Sequence, residues 1–231
     1  MWSIAELKSR GKQAFRANYW QSVAVSFVMA IFAGGTASAA SNRVQSTTSE
    51  VTVEGAGVSP EQAAFIAAVV LGVVFTVGIV GSIVHALLAN PIEVGGRRFF
   101  EKNANDPTTQ FNTVFEGFQD YGRVLVTMLI RDVFILLWTL LLIIPGAMKA
   151  YSYRLVPYLV KDRPELSPME VLAESEALMR GNRWQAFVMD LSFLGWLLLG
   201  VVTLNLGNIF WTNPYMNATD AALYQELTGR A

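Results

Sequence analysis

Five ionisable residues interrupt the apolar segments of this chain: His85, Arg131, Asp132, Arg154 and Asp190. Ionisable side chains are costly in apolar surroundings, and they often mark ion pairs, proton relays or ligand sites. Two arginines, two aspartates and one histidine nearly neutralise one another, as buried charges require, and histidine titrates near neutral pH. The set predicts one of two things. It is either an inner-leaflet polar layer that binds an ion, a proton or an anionic headgroup, or a structural network with arginines that reach toward water.

The composition indicates which elements must position these residues. Of the 231 residues, 53% are hydrophobic and only 15% are charged, against about 25% charged in typical soluble domains. About 20 apolar residues in a helix cross a hydrocarbon core, and the chain contains several uncharged runs of that length. We therefore predict an all-α fold: a polytopic transmembrane helix bundle of about six helices (range four to six), forming a single domain over residues 1–231. The predicted spans are 20–40, 63–90, 123–144, 146–161, 184–205 and 207–226, with an external loop at 41–62.

Basic residues set the predicted orientation. Lys8, Arg10, Lys12 and Arg16 precede the first apolar run, so the positive-inside rule places the N-terminus in the cytoplasm of a multi-pass cell membrane protein. A basic start followed by an apolar run and small residues is also typical of a cleavable secretory signal. The long basic region favours a retained helix instead, and the second run would anchor the product in any case.

Pro145 and Gly146 are predicted to form a tight turn at the outer membrane face. A single crossing by residues 123–144 would leave six basic residues outside, against the positive-inside rule. A return through residues 146–161 brings most of them back to the cytoplasmic side. This path places Lys149 near the outer boundary and makes Arg154 a candidate partner for Asp132.

Two amphipathic helices are predicted on the cytoplasmic side. Ser167 and Glu170 have the spacing of a capping box, with proline at the first helical position, and they predict a helix over 168–180. Asp106 and the proline after it predict the start of another helix, with an aromatic stripe over residues 111–118. Such helices either dock a partner or membrane surface, or cover the inner ends of the bundle.

Several strings resemble one family of bacterial membrane proteins. They are NPIEVGGRRFF, the segment from IIPGAMKAYSYRLVPYLVKDRP to MRGNRWQAF, then LSFLGW and PYMNATDAALYQEL. Together they resemble the proteins grouped as domain of unknown function 975, except over residues 41–61. The resemblance implies a multi-helix bacterial membrane protein, and it brings no assigned activity or catalytic residues. It favours a sixth, C-terminal span at 207–226, where the residues alone leave a span or an external tail open.

The residue types argue against most enzyme classes. The chain has one histidine and no cysteine, which excludes most metal sites, and its glycines lack phosphate-loop spacing. We expect no enzyme activity, no cofactor and no nucleic-acid partner, since each basic segment lies beside a predicted span. The first hypothesis is a protein that binds membrane lipids or a protein partner through its cytoplasmic face. The alternative is a small transporter or permease that uses the polar layer. The oligomeric state is left open.

Overall fold

The computed structural model describes residues 2–34 and 60–230, apart from the side chains at 33–34, 60, 63–64 and 77–86. Most of the predicted external loop at 41–62 and the side chain of His85 lie outside this description. All regular structure in the described ranges is helical, which confirms the all-α fold class.

Ten α-helices, a 3₁₀ helix and a π-helical turn follow one another along the described residues. They are α1 (Ile4–Ala17), α2 (Tyr19–Gly34), α3 (Pro60–Asn105), the 3₁₀ helix (Phe111–Phe118), α4 (Tyr121–Leu141), α5 (Ile143–Ser152), α6 (Val156–Asp162), α7 (Pro168–Met179), α8 (Arg183–Leu191), α9 (Leu194–Val202), the π turn (Asn208–Thr212) and α10 (Asn213–Thr228).

The chain forms two compact units. The smaller unit, Ala30–Ala89, contains the end of α2 and the apolar first part of α3. Large apolar side chains such as Phe65 and Phe75 are exposed there. The larger unit, Met1–Met29 with Asn90–Ala231, holds every cluster of charged residues described below.

The core of the larger unit is built around α10, α1 and α6. Helix α10 packs along α1, and a side chain on Gly11 would lie 2.7 Å from the backbone of Thr219, so glycine permits the close approach. Residues 156–160 of α6 are all buried. The aromatic ring of Tyr158 stacks on that of Tyr224, with 4.7 Å between centroids. These contacts provide a rigid base for the polar side chains around them.

Helices α4 and α5 form an antiparallel hairpin whose turn lies at Leu142. That residue is extended (φ −158°, ψ 137°) and interrupts the helical path. Pro145 and Gly146 lie within the first turns of α5, so they do not form the predicted turn. Proline is tolerated at a helix start, where its missing N–H has no partner to lose. A side chain on Gly146 would lie 2.6 Å from the Cα of Thr139, so the glycine lets the arms touch.

A second hairpin joins α9 to the π turn. The chain reverses at Leu204 and Asn205, which both have positive φ angles of 52° and 68°. Gly200 packs directly against Asn208, again at a point of close helix approach. The apolar side chains at this reversal are largely exposed: Val202 is 83% exposed and Leu204 is 88% exposed.

Two helical stretches, Tyr121–Leu141 and Arg183–Val202, are long and apolar enough to cross a membrane by length and composition. Only 17% and 22% of their most apolar windows are buried, unlike the core helices of a soluble domain. The described residues give just these two such helices, so a six-span bundle is not confirmed. Helix α5 begins at Ile143 and ends at Ser152, and α10 is largely buried, with Thr219, Asp220 and Gln225 among its buried residues.

The polar helix α7 begins at Pro168 as predicted, with a capping box at Ser167. The Ser167 backbone N–H donates to the Glu170 carboxylate at 2.7 Å. The prediction for Asp106 is wrong, because its carboxylate accepts from the backbone N–H of Thr108 at 2.9 Å and closes a local turn. The following helix is of the 3₁₀ type and starts only at Phe111.

Candidate functional site

Arg154 is the centre of the main charged cluster. It lies in the turn between α5 and α6, and its guanidinium donates two parallel hydrogen bonds to Asp190 of α8, at 2.6 and 2.7 Å. The same guanidinium also donates to Asp220 of α10. The hydroxyl of Tyr151 donates to Asp190 at 2.9 Å. The structure therefore brings together two of the predicted residues, Arg154 and Asp190, and adds Asp220.

Asp220 joins this cluster to α3. Its second carboxylate oxygen accepts from Arg97 at 2.8 Å, and Arg97 also donates to the side-chain oxygen of Asn217 at 3.3 Å. Only 8% of Asp220 is exposed. A buried carboxylate between two guanidinium groups is compensated for its desolvation, so Asp220 links α10 to α3 and to the turn between α5 and α6.

Arg131 and Asp132 belong to a second cluster. Arg131 donates to both carboxylate oxygens of Glu93 on α3, at 3.1 and 3.0 Å, and to its neighbour Asp132 at 2.8 and 2.9 Å. The amide of Asn90 donates to Asp132 at 3.3 Å. The predicted contact between Asp132 and Arg154 is absent, because each has other partners.

Glu93 and Arg97 connect the two clusters, since they lie one turn apart on α3. Burial opposes ionisation of Glu93, but the charge of Arg131 and then that of Arg97 outweigh it and hold the pKa of Glu93 below its ordinary value. Ion pairs thus connect the charges within each cluster, and the charge interaction of Glu93 with Arg97 links the two clusters from Asp132 to Asp190. We call this set of three arginines and four carboxylates the charge network: Glu93, Arg97, Arg131, Asp132, Arg154, Asp190 and Asp220.

Every carboxylate of the charge network accepts from at least one arginine. Arg97 and Arg154 use their terminal nitrogens for these bonds, and their Nε atoms are buried without a hydrogen-bond partner, whereas Arg131 also donates from Nε to Asp132. The arrangement suits rigid positioning of helices. Its carboxylates are already occupied and have little capacity for a further cation.

Sequence reasoning missed three members of the network: Glu93, Arg97 and Asp220. A signal existed on α3, because Asn90, Glu93 and Arg97 recur at three- and four-residue steps and so share one helix face. Asp220 carried no comparable signal, since only the tertiary fold brings α10 beside Arg154.

A separate cluster fastens the end of α10. The Asp162 carboxylate, whose side chain is 4% exposed, accepts from Arg98, from the hydroxyl of Tyr224 and from Arg230. Glu101 lies beside it and pairs with Arg98 at 2.7 Å. Burial, followed by the nearby charge of Asp162, raises the pKa of Glu101 above its ordinary value.

A further cluster links the α4–α5 hairpin to α7. Lys149 donates to both carboxylate oxygens of Glu176, at 3.0 and 2.9 Å, and Arg183 donates to Glu176 at 3.2 Å. The hydrogen bond from Lys149 is the main reason that the pKa of Glu176 is lowered. The sequence predicted Lys149 near the outer membrane face and α7 on the cytoplasmic side. Both predictions cannot be right, because Lys149 forms a 2.9 Å ion pair with Glu176 of α7.

Other features of the described residues are less specific. No group of three or more His, Asp or Glu residues within them could hold a metal ion. A groove of about 410 Å³ lies between α1, the end of α3 and α10, lined by alanines and by polar residues such as Arg10 and Gln13. Arg10 is already paired with Glu226 at 2.9 Å.

The fold and the charge network define an all-α protein with paired charges inside and long apolar helices exposed outside. The family described as "Protein of unknown function (DUF975)" matches residues 12–231. The chain belongs to this family, as its quoted strings predict. No curated protein and no solved structure matches it.

Proposed function

We propose that this protein is a non-enzymatic integral membrane protein that binds lipids, with its N-terminus in the cytoplasm. One observation supports the proposal most: the two hairpins project large apolar side chains from a body whose charges are paired internally. Ile143 is 78% exposed at one tip and Leu204 is 88% exposed at the other. Soluble monomers rarely expose apolar patches of more than a few hundred Å², whereas lipid covers such surfaces.

Aromatic and basic side chains at the helix starts support a headgroup contact. Trp20 and Trp184 are each 73% exposed, and they lie close in sequence to Arg16 and Arg183. Tryptophan is enriched at membrane interfaces, and basic residues attract anionic lipids. We therefore propose anionic headgroups as the ligands of this surface on the cytoplasmic side, which we call the rim: Lys12, Arg16, Trp20, Arg183 and Trp184.

The charge network favours binding over transport. A transported ion or proton needs a site that exchanges partners, but every carboxylate of the network is held by an arginine. The transporter alternative would use these same charges as its path. Reconstituted flux that is abolished by Asp190→Asn but not by Glu165→Gln would support the alternative and replace the lipid-binding proposal.

The proposal is tested first by fractionation and then by lipid retention. We expect the protein to remain in membranes after an alkaline carbonate wash, which removes peripheral proteins. Native mass spectrometry after release from discs of mixed phosphatidylglycerol and phosphatidylcholine should show retained phosphatidylglycerol.

Two double variants that remove the same positive charge then distinguish binding at the rim from a general effect of net charge on lipid retention. The double change Lys12→Gln with Arg16→Gln should reduce the retained phosphatidylglycerol. Lys161→Gln with Arg163→Gln, which removes the same charge at the end of α6, should leave retention closer to that of the parent. Release by carbonate, or equal retention of both lipids in the parent protein, would contradict the proposal.

A further inference from the structure

We infer that the tip of the α4–α5 hairpin, residues 133–148, enters a single leaflet and ends within that leaflet without crossing the bilayer. This inference rests on the proposed membrane insertion and replaces two of the predicted spans with one shallow hairpin. The partner of this surface is the acyl-chain region of the leaflet on the side of α7. Three sets of contacts within the larger unit limit its depth.

The first contact that limits the depth of the tip lies on α4, the arm that enters the membrane. Arg131 and Asp132 form an ion pair with Glu93 of α3, which ties this level of α4 to the charged body. Between Asp132 and Leu141 there are nine residues of continuous helix, or about 14 Å at the helical rise. Half of a hydrocarbon core of about 30 Å is about 15 Å, so the apolar end of α4 matches one leaflet.

The second limit lies on the returning arm and is stricter. Lys149 lies six residues after Ile143 in α5, about 9 Å along the helix. Its ammonium group is fixed to Glu176 of α7 at 2.9 Å. The intervening residues, IPGAM, carry no charge. The apolar end of the returning arm is therefore shorter than one leaflet is thick.

Helix α7 shows which side of the tip is polar. It carries Glu170 and Glu174 in addition to Glu176, and its capping box lies at an exposed start. Glu176 also binds Arg183, the first residue of the apolar stretch that ends at Val202. A level that contains Lys149, Glu176 and Arg183 suits the headgroup region, where charges remain hydrated.

A complete crossing would bury this polar level. Arg123, in the first turn of α4, donates to the carbonyl oxygens of Arg163 and Leu166 at 2.7 and 2.9 Å, so the start of α4 lies beside the segment that leads into α7. From Arg123 to Leu141 there are 18 residues, about 27 Å. If all of this length lay in hydrocarbon, the ion pair between Lys149 and Glu176 would lie there too, at the high cost of intramembrane charges.

An aromatic marker agrees with the shallow position. The Lys149 ammonium lies 5.7 Å from the ring centre of Trp138, and Trp138 is 38% exposed. Beyond it, Leu140, Leu141 and Ile144 are each more than two-thirds exposed. Tryptophan at the interface with aliphatic side chains beyond it is the pattern of a segment that dips into a membrane from one side.

The test uses single cysteines, because the natural chain has none. Ile143→Cys marks the tip, and Glu165→Cys, at an exposed polar position before α7, marks the body. A membrane-impermeant maleimide is applied to intact spheroplasts and to inverted vesicles. We expect Glu165→Cys to react in inverted vesicles alone, and Ile143→Cys to react from neither side until detergent is added.

Depth is measured on the same Ile143→Cys protein labelled with a small fluorophore in reconstituted vesicles. Lipids with bromine near the ends of their acyl chains should quench it more strongly than lipids with bromine near the headgroups. Stronger quenching by the headgroup-proximal bromines would overturn the inference.

The labelling outcomes separate this inference from the proposed function. Reaction of Ile143→Cys from the side opposite to Glu165→Cys would show a crossing hairpin, which rejects the inference and leaves membrane insertion intact. Reaction of both from the same side would show a tip outside the membrane, which rejects the inference and removes the main support for membrane insertion.

Discussion

Arg154 and Asp190 form a two-point ion pair, with hydrogen bonds of 2.6 and 2.7 Å between parallel donors and acceptors. The pair joins the turn after α5 to α8. A planar guanidinium fits a carboxylate in this way, whereas a lysine ammonium acts as a single point charge. The geometry makes the pair a test of whether the charge network holds the helices together.

Asp190→Asn should lower the free energy of unfolding by about 3 kcal/mol, the lower end for breaking a buried ion pair, since 27% of the Asp190 side chain remains exposed. Arg154→Gln should cost at least as much, because it also releases Asp220. In a double-mutant cycle measured by unfolding in detergent, the two changes should be strongly non-additive.

The matching cycle of Asp132→Asn with Arg154→Gln serves as the control. These two residues share no partner in the structure, although both belong to the charge network, so their coupling should be much smaller than that between Arg154 and Asp190. A large coupling in the control, or additivity between Arg154 and Asp190, would contradict the described pairing.

The polar residues illustrate how far sequence reasoning reaches. Their positions within predicted spans placed Arg154 and Asp190 in the same predicted polar layer, and the structure shows them in contact. Glu93 was missed as a partner of Arg131, because it lies outside the predicted spans and because the pairing depends on how α3 packs on α4. Local patterns identify which charges need partners, and tertiary packing decides among the candidates.

Gly146 provides a test of the hairpin itself. Gly146→Ala would place a methyl group against the Cα and side chain of Thr139, and overpacking of this kind costs about 1–3 kcal/mol. We expect a lower melting temperature in detergent. Gly195→Ala is the matched control, since no atom lies within 4 Å of the added carbon; the better helix propensity of alanine should leave stability unchanged or slightly higher. Equal effects would show that the arms are not in close contact.

The same hairpin shows why local sequence signals mislead. Proline followed by glycine is typical of turns, yet the reversal occurs three residues earlier, at Leu142. Helix starts accept proline, and the close approach of the two arms requires a glycine. The chain does reverse direction in this region, but it does so at Leu142 and not at the predicted Pro145 and Gly146. The capping box at Ser167 was located correctly because its two hydrogen bonds are local.

The ion pair of Lys149 and Glu176 should make stability depend on pH. Because the folded protein lowers the pKa of Glu176, the contribution is present above the ordinary value of 4.5 and is lost as the pH falls through the lower, folded value. Glu176→Gln should cost up to about 1 kcal/mol at pH 7, as for a partly exposed pair. The difference in melting temperature from the parent should shrink toward zero in acid. A difference that stays constant down to strongly acidic pH would argue against the ion pair.

Arg123 should protect the end of α6 from local opening. Its guanidinium donates to the carbonyl oxygen of Val160, in the last turn of α6, and to those of Arg163 and Leu166 beyond the helix. The last carbonyl groups of a helix have no partner within it. Arg123→Gln removes most of these bonds, and a net loss of about 1.4 kcal/mol corresponds to about tenfold faster amide exchange. Hydrogen-exchange mass spectrometry should show the increase over residues 160–166 and not over α10. Arg163→Gln alters a half-exposed side chain in the same segment and should leave exchange there nearly unchanged. An equal increase in both variants would assign the protection to general charge and not to the Arg123 hydrogen bonds.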